Sequence, residues 1–146
     1  MEYFQPENVK QTCKLVQGWK GRAKLIAGGI NVIPDLRAKT IKPQVLVDIS
    51  HFKNLSYIKE EKRGIRIGGL TTVSELASSK AIQNYALILS EAARQLGNPL
   101  VRNRATSAGN LADASPAADT AVPLLVLEAT VVIERDGGKH REIAIN

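Results

Sequence analysis

The sequence predicts an α+β fold made of two α/β subdomains, and three observations carry that expectation. In the first third, short apolar runs alternate with helical spacing, the pattern of a small unit with parallel strand pairing. From about residue 55 the pattern changes to apolar–polar alternation around tight turns, which marks antiparallel pairs. The second half also holds one long helical segment, followed by "NRATSAGNLADASPAADT" at 103–120, a stretch of small, polar and turn-forming side chains.

Taken in order, Pro6 suits the first turn of a helix, with Val9, Cys13 and Val16 at helical spacing and Gly18 as the stop. On that stripe Cys13 is a small buried hydrophobe. "AKLIAGG" is an apolar run closed by paired glycines, a strand entering a tight turn. "NVIPDLRAK" provides one or two helical turns, and "QVLVDIS" is a second buried strand. "LSYIKE" and "GIRIGG" pair antiparallel through the turn "EKRG". Thr72 and Glu75 form a capping box before a short helix. "AIQNYALILSEAARQLG" is the strongest helix signal, with Tyr85, Ile88, Ala92 and Leu96 on one face and Gly97 at its end. Residues 103–120 read as loop. "TAVPLLVLEA" reads as a buried helix starting at Asp119, and "TVVIERDGGKHREIAI" as a hairpin turning at Asp136-Gly137-Gly138. The subdomain boundary falls near residue 54, giving 1–54 and 55–146.

A chain of 146 residues with 44% apolar side chains buries a real core. The net charge of +6 is spread among acids along the chain, and the few aromatics are not interleaved with the basic residues, which disfavours a nucleic-acid platform. A positive surface serves an anionic cofactor equally well. His51, His140 and Cys13 lie far apart with no metal-ligand spacing. No apolar run reaches membrane-spanning length, the first residues are no secretory signal, and a single cysteine fits a reducing compartment; a cytoplasmic protein is expected.

Chemistry concentrates in two glycine-bearing segments. Ala27-Gly28-Gly29-Ile30-Asn31 directly follows a strand. Thr106-Ser107-Ala108-Gly109-Asn110 adds two hydroxyls and an amide. In such loops glycine lets backbone N–H groups converge on an anion without a basic side chain. Neither matches the G-x-G-x-x-G fingerprint nor a phosphate loop ending in Gly-Lys-Ser/Thr. The residues themselves therefore support two small-residue loops, one per subdomain, gripping the two phosphates of a bulky cofactor in a cleft between them.

"IAGGINVIPDLR", "IRIGGLTTVSEL" and above all "VRNRATSAGNLADASPAADTAVPLLVLEATV" resemble the flavin subunit of the molybdenum hydroxylases, the family of xanthine dehydrogenase and carbon monoxide dehydrogenase, colinearly over the whole chain. The resemblance implies a vanillyl-alcohol-oxidase-like (PCMH-type) fold with FAD held non-covalently. It implies a first pyrophosphate loop at Ile26, Ala27, Gly28, Gly29, Ile30, Asn31, Val32 and Ile33. It implies a second at Thr106, Ser107, Ala108, Gly109 and Asn110, where the family usually shows Thr-Ile-Gly-Gly-Asn. Ala108 is a departure, and its Cβ is expected to crowd the phosphates or to demand a φ that alanine dislikes. Asp119 matches an aspartate that hydrogen-bonds the cofactor, and also suits a helix N-cap. Leu96 and Gly97 match positions near the isoalloxazine and adenine portions. Asp113 is either a solvated acid or a cofactor neighbour; Arg102 and Arg104 are surface charges or face a partner.

The resemblance further implies an electron relay. Molybdopterin and iron–sulfur clusters reside in partner subunits, and the flavin passes electrons to NAD or another acceptor, with no side chain needed here as a general base. The family's flavin subunits continue into a further domain, opened by an aromatic-aromatic-x-Gly-Pro stretch that would follow Asn146, and this sequence does not include it. The rival expectation is a non-catalytic assembly module, or a fragment, that has lost tight flavin binding.

Overall fold

The computed structural model describes residues 1–115, 118–135 and 138–145. By contact density the chain divides into two compact units, Met1–His51 with Thr130–Ile145, and Phe52–Ala129. The first division falls at 51/52, close to the expected 54, but the C-terminal hairpin groups with the N-terminal unit, where the sequence reading had joined it to the second.

In the first unit the order is β1 (Glu2–Phe4), α1 (Val9–Gly18), β2 (Ala23–Ile26), α2 (Val32–Ala38) and β3 (Val45–Asp48). The sheet runs β1-β3-β2 with both pairings parallel, so each helix is a crossover. β3 is central, with Val45 and Val47 fully buried and Leu46 nearly so, which is why its sequence reads as an unbroken apolar run. β1 was not foreseen, and it displaces Pro6 from the predicted helix. Asn8 is the N-cap, its side chain accepting the Gln11 N–H at 2.9 Å, and Pro6 lies buried before it. Thr12 is the buried residue of α1, its hydroxyl donating to the Asn8 carbonyl at 3.0 Å, while Val9, Cys13 and Val16 are half-buried. The hairpin β6 (Thr130–Glu134) and β7 (His140–Ala144) pairs antiparallel as predicted. Gly138 of its expected turn has φ +72°, whereas Asp136 and Gly137 lie outside the described residues.

The second unit begins with a 3-10 turn at Lys53–Leu55 and the antiparallel pair β4 (Ile58–Glu61) and β5 (Gly64–Ile67). Among the described residues six short helices follow: α3 (Val73–Ser78), α4 (Lys80–Tyr85), α5 (Leu87–Gln95), α6 (Pro99–Arg102), α7 (Ser107–Ala112) and α8 (Ala121–Val126). The core joins Val73, Leu76, Ala77, Ile82, Leu89, Ala93 and Leu96, with Ile58, Ile65, Ile67 and Leu124 packed against it. The capping box is present: the Glu75 N–H donates to Thr72 Oγ1 at 3.2 Å, and the Thr72 N–H to Glu75 Oε2 at 2.7 Å.

Two of the predicted helices differ in the structure. The long helix is broken at Ala86 (φ −145°, ψ 50°), which resets the helical phase. The face counted across the break is therefore not continuous. Tyr85 and Ile88 are exposed and Ala92 half-buried, while Leu89, Ser90 and Ala93 point inward with Leu96. Three donors converge on the Ala77 carbonyl near the end of α3, from Ser90 Oγ at 3.0 Å, Gln83 Nε2 at 3.2 Å and Arg94 Nε at 3.2 Å, and they tie α3 to α4 and α5. α8 is not a buried helix. Thr120 and Pro123 are buried and Leu124 partly so, but Val122, Leu125 and Val126 are exposed.

Candidate functional site

The first candidate segment leaves the carboxyl end of a parallel strand. Ile26 closes β2, its carbonyl accepting the Ile49 N–H at 3.0 Å. Ala27, Gly28, Gly29 and Ile30 make the turn, Asn31 is the N-cap position of α2, and Val32 and Ile33 form its first turn. Gly29 has φ +78°, and a Cβ there would stand 3.2 Å from Ile33 Cγ1 and 3.4 Å from Ile26 Cδ1. Both backbone and space therefore require glycine. Its carbonyl accepts the Ile33 N–H at 3.1 Å, which folds the turn directly into the helix. A strand-to-helix junction of this kind, at the carboxyl edge of a parallel sheet, is where open α/β units take ligands.

The second segment is not the loop of free amides that the sequence suggested. Thr106 caps α7, and residues 107–112 are helical. Each N–H from 107 to 110 has an acceptor within the chain: Ser107 on the Thr71 carbonyl at 2.8 Å, Ala108 on Gly69 at 3.0 Å, Gly109 on Thr106 Oγ1 at 3.2 Å and Asn110 on Thr106 at 2.9 Å. The Ser107 hydroxyl donates to the Gly68 carbonyl at 2.9 Å, and the Val73 N–H to the Ala105 carbonyl at 2.9 Å. The segment is stitched along 68–73, so it presents side chains rather than a nest of free amides. Gly68 and Gly69 are the residues that sequence reasoning left without a role here. Their signal was the paired glycine in "IGGLTT", a place of close backbone approach.

The strain expected at Ala108 is absent. Among the described residues the non-glycine positions with positive φ are Lys20, Lys39, Ala114 and Glu128, and Ala108 lies in helical backbone. Gly109 also avoids positive φ. It is glycine for space, since a Cβ would stand 2.6 Å from Thr106 Oγ1.

Leu96 is buried in the core, and Gly97 has φ +49° after α5. Both carbonyls accept from Arg102 Nη1 at 3.1 Å, so Arg102 closes the end of α5 rather than standing as a plain surface charge. Asp119 is exposed and does not cap α8. The N-cap position is Thr120, whose N–H and hydroxyl donate to Asn110 Oδ1 at 3.3 and 2.5 Å. Asp113 is exposed at the end of α7. Ile26–Ile33 thus belong to the first unit, and Leu96, Gly97, Thr106–Asn110 and Asp119 to the second.

His51 Nε2 lies 2.9 Å from the Pro6 carbonyl, and no group of three metal-ligating side chains exists among the described residues. The titratable group with the clearest perturbation is Asp48. Burial alone would raise its carboxyl, but hydrogen bonds from Tyr3, the Ser50 amide and hydroxyl, and Gln5 outweigh that and hold it at about 2. The same bond to Asp48 raises the Tyr3 phenol. The Tyr3 hydroxyl donates to Asp48 Oδ2 at 2.5 Å and the Ser50 N–H to Asp48 Oδ1 at 2.8 Å, fastening β1 to the end of β3. This cluster is structural and sits on neither candidate segment.

Neither 26–33 nor 106–110 contains an acid; the first carries a carboxamide and a glycine turn and the second two hydroxyls and a carboxamide, and the donor chemistry of each is compatible with an anionic group, on a chain of net charge +6. All of residues 1–146 match the family model described as the FAD binding domain in molybdopterin dehydrogenase. The chain belongs to that family. It is 36% identical over 140 residues to the alpha subunit of the 6-hydroxypseudooxynicotine dehydrogenase complex of Paenarthrobacter nicotinovorans, covering 96% of this chain and 47% of that one. It is 34% identical over 141 residues to the FAD-subunit of nicotinate dehydrogenase of Eubacterium barkeri, covering 96% and 48%. Its fold superposes on a subunit of carbon monoxide dehydrogenase from Hydrogenophaga pseudoflava with a TM-score of 0.94 at 32% identity, over 99% of this chain and 50% of that one. The chain spans about half the length of the curated relatives it matches. The family's FAD-binding fold is thus confirmed, as the resemblance implied. Among the described residues no helix is long and apolar enough to cross a membrane.

Proposed function

We propose that this chain holds FAD non-covalently as part of the flavin subunit of a molybdenum hydroxylase-type dehydrogenase, and relays electrons from a partner's iron–sulfur clusters to NAD or another acceptor. The observation that carries the reading is the unbroken family match over residues 1–146. Bound FAD would supply the redox chemistry, and the protein supplies position and polarity.

On this reading the turn at Ile26–Ile33 accepts the pyrophosphate against glycine backbone. Thr106 and Asn110 add side-chain donors, and Asp119 is an exposed acceptor for a cofactor hydroxyl. Ser107, Ala108 and Gly109 shape the second segment through the bonds to 69–71 and the Thr106 cap rather than through free amides. Leu96 supports the site from the core, and Gly97 supports it through the turn that Arg102 closes. The partners are an iron–sulfur subunit and a molybdenum-cofactor subunit, and the compartment is the cytoplasm.

The engaged amides of 107–110 favour one rival, an assembly module that keeps the fold without tight flavin binding. Acid extraction of the purified chain and chromatography of any released flavin separate the two. Intact FAD in the supernatant supports the relay. A colourless protein that takes up no added FAD supports the module, and FMN, or flavin left on the protein, contradicts the cofactor assignment.

A further inference from the structure

We propose that Thr120 is a positioning residue for FAD, fixing the Asn110 carboxamide so that only its NH2 group is left for an acceptor atom of the cofactor. The proposal rests on the flavin reading above. A carboxamide has two nearly isosteric orientations, and its partners choose between them. Here the choice is forced. A backbone N–H can only donate, so the Asn110 atom 3.3 Å from the Thr120 nitrogen is the oxygen. The Thr120 hydroxyl, 2.5 Å away, donates into the same oxygen. Thr120 is fully buried, so both of its donors are shielded from water, while the Asn110 carboxamide that accepts them is half-buried.

Both lone-pair directions of Oδ1 are then occupied, and no acceptor takes the Asn110 NH2 among the described residues. The Asn110 backbone is fixed as well, its N–H donating to the Thr106 carbonyl at 2.9 Å. A half-buried carboxamide held in this way offers two donors and no acceptor. That matches phosphate oxygens or ring carbonyls, which only accept. Asp119, one residue earlier, takes part in neither bond.

The test is titration of the 146-residue chain with FAD, followed by flavin fluorescence, beside thermal melts of each variant. Thr120→Val should weaken FAD about tenfold, the scale of one lost hydrogen bond. Thr120→Ser should restore parental affinity, and Asn110→Asp, which exchanges donors for a charge, should weaken FAD further than Thr120→Val. In an Asn110→Ala background Thr120→Val should change nothing more, because the effect passes through that carboxamide. Parental affinity in Thr120→Val, or an equal loss in both backgrounds, overturns the proposal. If Thr120→Val melts too low to titrate, Asn110→Asp decides: affinity equal to the parent overturns the proposal. A parent chain that binds no FAD defeats the flavin reading itself, whereas parental affinity in Thr120→Val defeats only the role of Thr120.

Discussion

A Cβ built on Gly109 would stand 2.6 Å from Thr106 Oγ1, the atom that accepts the Gly109 N–H and caps α7. Gly109→Val therefore removes the cap and forces the first helical turn open, and is expected to lower stability by about 1–3 kcal/mol in urea unfolding. Ala108 behaves differently. A glycine there relieves no strain, since the backbone is already helical, and it loses helix propensity. Ala108→Gly is expected to cost about 0.5–1 kcal/mol with no gain in FAD affinity, measured by the same unfolding curve and a flavin titration. Asp48 ties acid stability to the first sheet. Its pKa is lowered on folding from the ordinary carboxylate value of 3.8 to about 2, so its contribution is complete above the unfolded value and is lost as pH falls through that window. Asp48→Asn should flatten the pH dependence of the melting temperature between about pH 4 and 2 relative to the parent. The Tyr3 phenol is raised, so its contribution is present below pH 10 and fades as pH rises past that.

Elements were legible wherever one short-range signal sufficed. "QVLVDIS" announced a buried strand, Thr72 and Glu75 a capped helix, and the alternation around "EKRG" an antiparallel pair. What failed depended on long-range bonds or on phase. β1 is three residues long and exposed, and only its pairing to Val45–Val47 makes it a strand. The helix at 107–112 was hidden because its small residues lack an apolar stripe, so the Thr106 cap was the one local clue. The glycine turn of the candidate site was visible in sequence, while the stitching of 105–108 to 68–73 was not, because those partners lie far apart in the chain. Gly68, whose carbonyl accepts the Ser107 hydroxyl, is itself fixed by a second long-range approach. A Cβ there would stand 2.2 Å from the Leu55 carbonyl oxygen, a backbone atom that cannot step aside, so Gly68→Ala is expected to destabilise the second unit by about 1–3 kcal/mol or more. Thr72→Ala, which removes half of the capping box, should cost about 1 kcal/mol. Urea midpoints of the two variants check both.

For the whole chain, the family match and the superposition on solved relatives agree on the FAD-binding fold, while contact density assigns the two candidate segments to different compact units. The net charge of +6 suits an anionic cofactor, and part of the affinity should therefore fall as salt is raised. Calorimetric titration of the 146-residue chain with FAD, with chromatography of the flavin released by acid, tests the central claim most directly. The account predicts one intact FAD per chain, released without covalent residue. A chain that remains colourless and takes up no FAD at millimolar concentration would contradict it.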